Sequence, residues 1–169
     1  MDLLDRLLDH DAWTTRQLLL RCRDLTDEQL DRAFDIGPRT VRATLLHIIR
    51  NVEVWADLMA GGPVRDNAGA RPGERSVPAL IARLDRAHAD LGALARDVAR
   101  RSAWDERWLD VMDSPPTQKT YGGAIAHVLT HDMHHRAQLL FMLRRLGVQA
   151  LPEGDVLSWE SQAAPGRPG

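Results

Sequence analysis

Hydrophobic residues recur at intervals of three and four along four long segments of the chain, which is the spacing of one buried helical face. The first segment covers about residues 2–25, and the second runs from about Val41 to Met59. The third follows Ser76 and ends near Arg101, and the fourth runs from about Tyr121 to Leu146. Four long amphipathic helices in one chain predict an all-α fold, a four-helix bundle.

Shorter elements are expected between these helices. Thr26 and Gln29 have the spacing of a capping box, which predicts a short extra helix of two turns between the first two long helices, ending near Phe34. Thr40 and Ser76 are the predicted N-caps of the second and third long helices. Residues 61–74 are rich in glycine, proline and charge and predict a loop.

The remaining segments give weaker patterns. We predict that residues 102–120 form an irregular connection whose tryptophans cover one end of the bundle, because no strand alternation stands out. Residues 151–159 are expected to form a short segment that returns onto the bundle. The domain is therefore predicted to cover residues 1–160, followed by a flexible C-terminal tail over 161–169.

Composition narrows the range of partners. The formal net charge of the 169 residues is −2, so the chain lacks the strong basic field that collects phosphates, and we expect no nucleic-acid partner. A single cysteine, Cys22, excludes an intramolecular disulfide and a multi-cysteine zinc site. We see no signal peptide and no membrane-spanning run, and expect a cytoplasmic protein without a membrane partner.

Four of the seven histidines lie within the nine residues 127–135. On a helix, residues four apart share a face, so His127, His131 and His135 form a column. Ala124 and Val128 lie on the same side, which predicts that the column faces inward. Buried imidazoles need partners, and a transition metal can satisfy several at once, with zinc, copper, iron and nickel all suited to imidazole.

His131 and His135 have the spacing by which two histidines on one helix share a metal. His47 is the leading candidate for a third ligand, because it lies at the edge of another long helix's buried face. His127 is a fourth ligand, an orienting group, or a core histidine bonded to a carbonyl or water; we favour the last two. Arg136 is expected to fix a carboxylate, to bind an anionic substrate, or simply to lie in solvent.

The other histidines are assigned structural positions. His134 is expected at a helix edge or subunit contact, and His10 and His88 as satisfied core residues, although His88 lies on a core stripe from which it can point toward the cluster. Motifs of several enzyme classes are absent: the chain has no His-Glu-x-x-His, no Glu-x-x-His pair with partner glutamates, no nucleophile elbow and no P-loop. Three imidazoles on a divalent ion leave positions open for water or substrate, which is the catalytic arrangement.

The residues Thr44-Leu-Leu-His47-Ile-Ile and Gly123-Ala-Ile-Ala-His127-Val-Leu-Thr-His131-Asp-Met-His134-His135-Arg136-Ala-Gln138 resemble the DinB-like family of metal-binding four-helix bundles. The opening residues 7–16, Val54-Trp55 and Leu146-Gly147-Val148 are also similar to that family, so the likeness covers nearly the whole chain to about Trp159. The chain has Arg136-Ala-Gln where many members have Arg-Gly-Gln, and alanine is the better helix former.

The resemblance implies one divalent transition metal held by His47, His131 and His135, with zinc or nickel the leading candidates, and a homodimer. It also implies a metal-dependent enzyme that acts on a small-molecule substrate with water or a low-molecular-weight thiol such as bacillithiol or mycothiol, in S-transferase, isomerase or hydrolase chemistry. His127 and Arg136 are then the candidate catalytic residues. Two alternatives stay open: a non-catalytic metal-binding or stress-response protein, and a bundle whose histidines only satisfy one another.

Overall fold

Four long helices form a bundle in the computed structural model, which describes residues 1–67 and 71–163. They are α1 (Leu3–Arg21), α3 (Val41–Met59), α4 (Val77–Arg100) and α5 (Tyr121–Arg145). Helices α1 and α3 each pack against both α4 and α5, so consecutive long helices α1 and α3 lie on a diagonal. The predicted all-α four-helix bundle is confirmed.

The predicted helix starts depend on side chains that satisfy free backbone N–H groups. The hydroxyls of Thr40 and Ser76 accept from the amides three residues later, as expected, and Thr26 and Gln29 form both bonds of the capping box. The helix after this box, α2 (Asp27–Leu30), has one turn rather than the predicted two. Where the second turn was expected to end, the Phe34 N–H instead donates across the following loop to the Arg39 carbonyl, at 2.7 Å.

Two apolar clusters fill the bundle, and a layer of polar side chains lies between them. One cluster includes Leu8 and Val128, and the other includes Leu18 and Leu139. Between these positions, α1 buries Asp11, Thr14 and Thr15 and α5 buries Asp132 and Arg136. Charged groups buried at this depth need partners inside the protein, so this layer is the part of the core whose chemistry requires explanation.

A β-hairpin replaces the irregular connection that we predicted over residues 102–120. Strands β1 (Arg107–Asp110) and β2 (Thr117–Thr120) pair antiparallel, with Trp108 opposite Lys119. Alternate β1 side chains are buried, and the Trp108 ring packs edge-on against Trp55 of α3 at 6.0 Å between centroids. The strands are only four residues long, too short for their alternation to stand out in the sequence. The expectation that a tryptophan covers the bundle holds for Trp108, whereas Trp104 is 36% exposed.

Short helices complete the fold. A 3-10 helix (Pro72–Arg75) precedes α4, and α6 (Val156–Ala163) packs on α1, where Trp159 is buried against His10. Residues 161–163 of the predicted tail therefore belong to α6, and its remainder, 164–169, lies outside the described residues. In the described ranges, no helix combines the length and the apolar character that crossing a bilayer requires.

Candidate metal centre

Three imidazoles from two helices meet at one side of the bundle. His47 comes from α3, and His131 and His135 come from successive turns of α5. The Nε2 atom of His131 lies 3.3 Å from Nε2 of His47 and 3.2 Å from Nε2 of His135. The structure thus brings together the three histidines that the sequence analysis selected, and their nitrogens can hold one metal ion.

The cluster is open to solvent on one side. His47 is exposed, the His131 side chain is 23% exposed, and His135 is buried. The prediction that the whole histidine column faces inward is wrong at His127, which is exposed. The error came from Ala124 and Val128, which are buried as expected while His127 lies at the rim of the same face. An ion and a small ligand can therefore reach the imidazoles from the surface.

Gln138 fixes the orientation of the buried ring. Its Oε1 accepts from Nδ1 of His135 at 2.8 Å, and its amide nitrogen lies 2.8 Å from Nε2 of His134. With its proton on Nδ1, His135 presents an unprotonated Nε2 to the cluster, as a metal ligand must. Gly37 closes over this amide: a Cβ at position 37 would lie 2.0 Å from Gln138 Oε1, and the glycine has φ +48°. The sequence analysis gave Gln138 no role.

Burial keeps all three rings neutral at physiological pH. Desolvation lowers the pKa of His47 and of His135. Nearby imidazoles add to the effect, whereas the hydrogen bond to Gln138 partly opposes it at His135. The same causes, desolvation first and then the charges of the neighbouring histidines, lower the pKa of His131 to about 4. Metal ligation requires neutral imidazole, so these protonation states favour a bound cation.

The donor set fits a divalent transition metal. Metal–imidazole bonds of about 2.0–2.1 Å in a tetrahedral site place ligand nitrogens about 3.3–3.4 Å apart, close to the separations found here. Hydrogen bonds among the rings explain the arrangement less well. His131 Nε2 offers either one proton or one lone pair, so it cannot form a well-directed hydrogen bond with both neighbouring nitrogens at once.

A groove lies beside the cluster, around the exposed His127. Its ring packs against Trp55, at 4.9 Å between centroids, and lies 5.3 Å from the ring of His131. The groove has a volume of about 440 Å³ and is bounded by α3, the hairpin and the start of α5; its lining residues are Trp55, Lys119, Thr120, Gly123, Ala124 and His127. Of the roles considered for His127, the structure shows neither membership of the three-nitrogen cluster nor burial in the core.

Arg136 points away from this groove, into the polar layer of the core. The residue is 3% exposed, and its guanidinium pairs with Asp11 Oδ1 of α1 and lies 3.3 Å from the Thr15 hydroxyl. Of the roles predicted for Arg136, fixing a carboxylate is the one observed, and a solvated position is excluded. The sequence analysis missed Asp11, because a contact across 125 residues leaves no local signal.

The other histidines divide as follows. His134 is exposed beside Gln138, consistent with the expected helix edge, and His10 is a satisfied core residue whose Nε2 lies 3.0 Å from the Gly154 carbonyl oxygen. The His88 side chain is 8% exposed, and its buried Nε2 has no hydrogen-bond partner within the described structure and lies 3.6 Å from Asp11 Oδ2, so His88 is not a satisfied residue. It does not reach the three-histidine cluster.

The sequence was compared with models of known protein families, and one match covers nearly the whole chain. The sequence model of the DinB family matches residues 1–165. The chain belongs to the DinB family. A search of curated proteins gives no match. DinB membership agrees with the helical bundle and is compatible with metal binding at the histidine cluster.

Proposed function

We propose that this DinB-family protein binds one divalent transition metal, zinc or nickel, through His47, His131 and His135. The observation that carries the proposal is the convergence of three Nε2 atoms, with His131 3.2 and 3.3 Å from its two neighbours. The neutral rings, the Gln138 bond that frees His135 Nε2, and the opening to solvent all support it.

We further propose that the centre is catalytic and acts on a small electrophile with a low-molecular-weight thiol, such as bacillithiol or mycothiol, or with water. The metal supplies Lewis acidity, which generates a nucleophile at neutral pH. The chain contributes the groove: Trp55 offers a flat apolar face, and His127 stands at its edge, one helical turn from His131, where it can accept or return a proton. Arg136 acts only indirectly, by holding α1 against α5 through Asp11.

The metal assignment is tested by metal analysis of untagged protein, because nickel from an affinity column can occupy such a site. Inductively coupled plasma mass spectrometry is applied to the wild type, His131→Ala and, as a matched control on the same helix, His127→Ala. We expect the metal at the three histidines to be lost in His131→Ala and kept in His127→Ala. Full metal content in His131→Ala would contradict the assignment.

The catalytic part is tested separately, by screening the metal-loaded protein with bacillithiol, mycothiol and water against small electrophiles. Turnover that disappears in His131→Ala and falls in His127→Ala supports an enzyme. Full metal binding without turnover on any thiol or ester would instead favour a non-catalytic metal-binding protein, for example one in a stress response.

A homodimer is also proposed. Met133 and Phe141 expose 55% and 41% of their surface on α5, and such apolar residues are available to pack against a second copy. Light scattering coupled to size-exclusion chromatography tests this; a monomer mass at high concentration would contradict it.

A further inference from the structure

The polar layer of the core brings together three metal-binding side chains that the proposed function does not use. Asp11 comes from α1, His88 from α4 and Asp132 from α5. Each has a potential ligand atom within 4.8 Å of the others. The side chains of Asp11 and His88 are 1% and 8% exposed, and Asp132 is fully buried.

Each of these residues has an unsatisfied atom. Asp11 Oδ2, His88 Nε2 and Asp132 Oδ2 are buried and have no hydrogen-bond partner in the described part of the chain. His88 Nε2 lies 3.6 Å from Asp11 Oδ2, which is too long for a hydrogen bond. Leaving such atoms unpaired in a protein interior is costly, and native structures do so rarely.

The other carboxylate oxygens are already occupied, which leaves the free ones for a common ligand. Arg136 donates to Oδ1 of Asp11, and the Asn51 amide donates to Oδ1 of Asp132 at 3.1 Å. Burial and the neighbouring Asp11 carboxylate raise the pKa of Asp132 well above its usual range. A cation bound here would take the place of the proton that the Asp132 carboxyl holds without it. Two free carboxylate oxygens and one imidazole nitrogen within 4.8 Å of one another form a donor set that suits a cation.

We propose that Asp11, His88 and Asp132 form a second cation site, inside the bundle and separate from the three-histidine centre. Mixed carboxylate and imidazole ligands select a divalent ion of the zinc, manganese or iron class, rather than magnesium or calcium, which prefer oxygen alone. The site joins α1, α4 and α5, so its ion cross-links three of the four long helices at the level where the two apolar clusters separate.

Zinc stoichiometry separates the two sites. Untagged protein is stripped, loaded with zinc, desalted and analysed for the wild type, His47→Ala and His88→Leu. We expect two equivalents in the wild type and one in each variant. Zinc content that is unchanged in His88→Leu but lower in His47→Ala would overturn the second site while leaving the proposed function intact.

The zinc dependence of unfolding stability distinguishes a metal ligand from a histidine with a structural role only. If His88 only fills space, replacing its unpartnered imidazole with leucine changes stability equally with and without zinc. With a cation site, metal-free His88→Leu is at least as stable as metal-free wild type, whereas zinc raises the unfolding midpoint of the wild type by more than that of the variant. An equal zinc-dependent shift in the two proteins would overturn the inference.

A second variant covers the case in which His88→Leu does not fold, and crystallography then locates the ion directly. Asp132→Asn is nearly isosteric and is expected to lose the same equivalent of zinc. Anomalous scattering at the zinc edge should give a peak between Asp11, His88 and Asp132. A peak there with none at the three-histidine centre would support this inference and contradict the proposed metal centre; water density without an anomalous signal at the interior position would overturn it.

Discussion

Two residue pairs on α5 have the same four-residue spacing and lie side by side in the sequence, yet their surroundings are opposite. His131 and His135 meet His47 at an opening to solvent, whereas Asp132 and Arg136 are sealed in the polar layer of the core. In the first pair, neutral rings leave lone pairs for an exchangeable ion. In the second, each charge must be balanced in place, because burial of an unpaired charge is costly. The spacing of a residue pair therefore does not determine its chemistry by itself. The burial of the helix face that carries the pair also decides it.

The largest expected effect comes from breaking the interior ion pair. Asp11→Ala leaves the Arg136 guanidinium buried without its carboxylate, and we expect unfolding stability to fall by about 3–5 kcal/mol. Urea denaturation measures this loss. The control is Asp85→Ala, which removes a partially exposed partner of Arg16 and should change stability by less than about 1 kcal/mol. Equal losses of stability in the two variants would show that the buried ion pair stabilises the fold no more than the exposed one.

At neutral pH, the pair His131 and His135 is predicted to affect stability mainly through the ion that it binds. At free zinc one hundred times the dissociation constant, a single site stabilises the folded state by about 2.7 kcal/mol. His131→Ala should lose that increment, whereas His127→Ala should keep it. Denaturation curves recorded with zinc and with a chelator measure the difference. A full zinc-dependent increment in His131→Ala would mean that the ion binds elsewhere.

A smaller effect is expected from the residue that orients the buried ring. Gln138→Ala removes the acceptor for His135 Nδ1, and loss of such a supporting bond lowers metal affinity by roughly 10–100-fold. Competition with a chelator of known affinity measures it. Gln138→Glu retains an acceptor oxygen and should restore most of the affinity. Unchanged affinity in Gln138→Ala would show that His135 needs no support.

The last expected effect, which develops only below neutral pH, is the pH dependence of the stability of the metal-free protein. The pKa of His131 is lowered to about 4 in the folded chain, below the value of about 6.5 in an unfolded one. Its contribution to stability is therefore fully present above about pH 6.5 and is lost as the pH falls toward 4. Subtracting the stability profile of His131→Asn from that of the wild type isolates this contribution. A difference that stays constant between pH 7 and pH 4 would contradict it.

The sequence predicted what depends on local periodicity and missed what depends on long-range contact. The long helices, the caps at Thr26, Thr40 and Ser76, and the meeting of His47 with the α5 pair follow from spacing on helical faces. The hairpin was missed because its strands gain their order from pairing with each other and from Trp108 packing on the bundle.

The interior cluster was missed for a related reason. Asp132 and Arg136 are visible as a helical pair, but their partners Asn51 and Asp11 lie on other helices, and nothing local indicates which helices meet. At His127, by contrast, the sequence predicted burial that the structure does not have. Its buried neighbours on α5 suggested burial, although the face ends at that residue and the ring lies against Trp55 at the surface.

Lys119 offers a position for selective chemical labelling beside the groove. It is the only lysine in the chain, and its Nζ lies 4.9 Å from the centre of the Trp55 ring at the mouth of the groove. Burial disfavours the charged amine, but the hydrogen bonds that Lys119 donates to the carboxylates of Asp110 and Asp113 outweigh this and raise its pKa. Acylation of the amine should therefore be slow at neutral pH and faster in base. An amine-directed label would thus mark one side chain, beside an indole whose fluorescence can report what enters the groove.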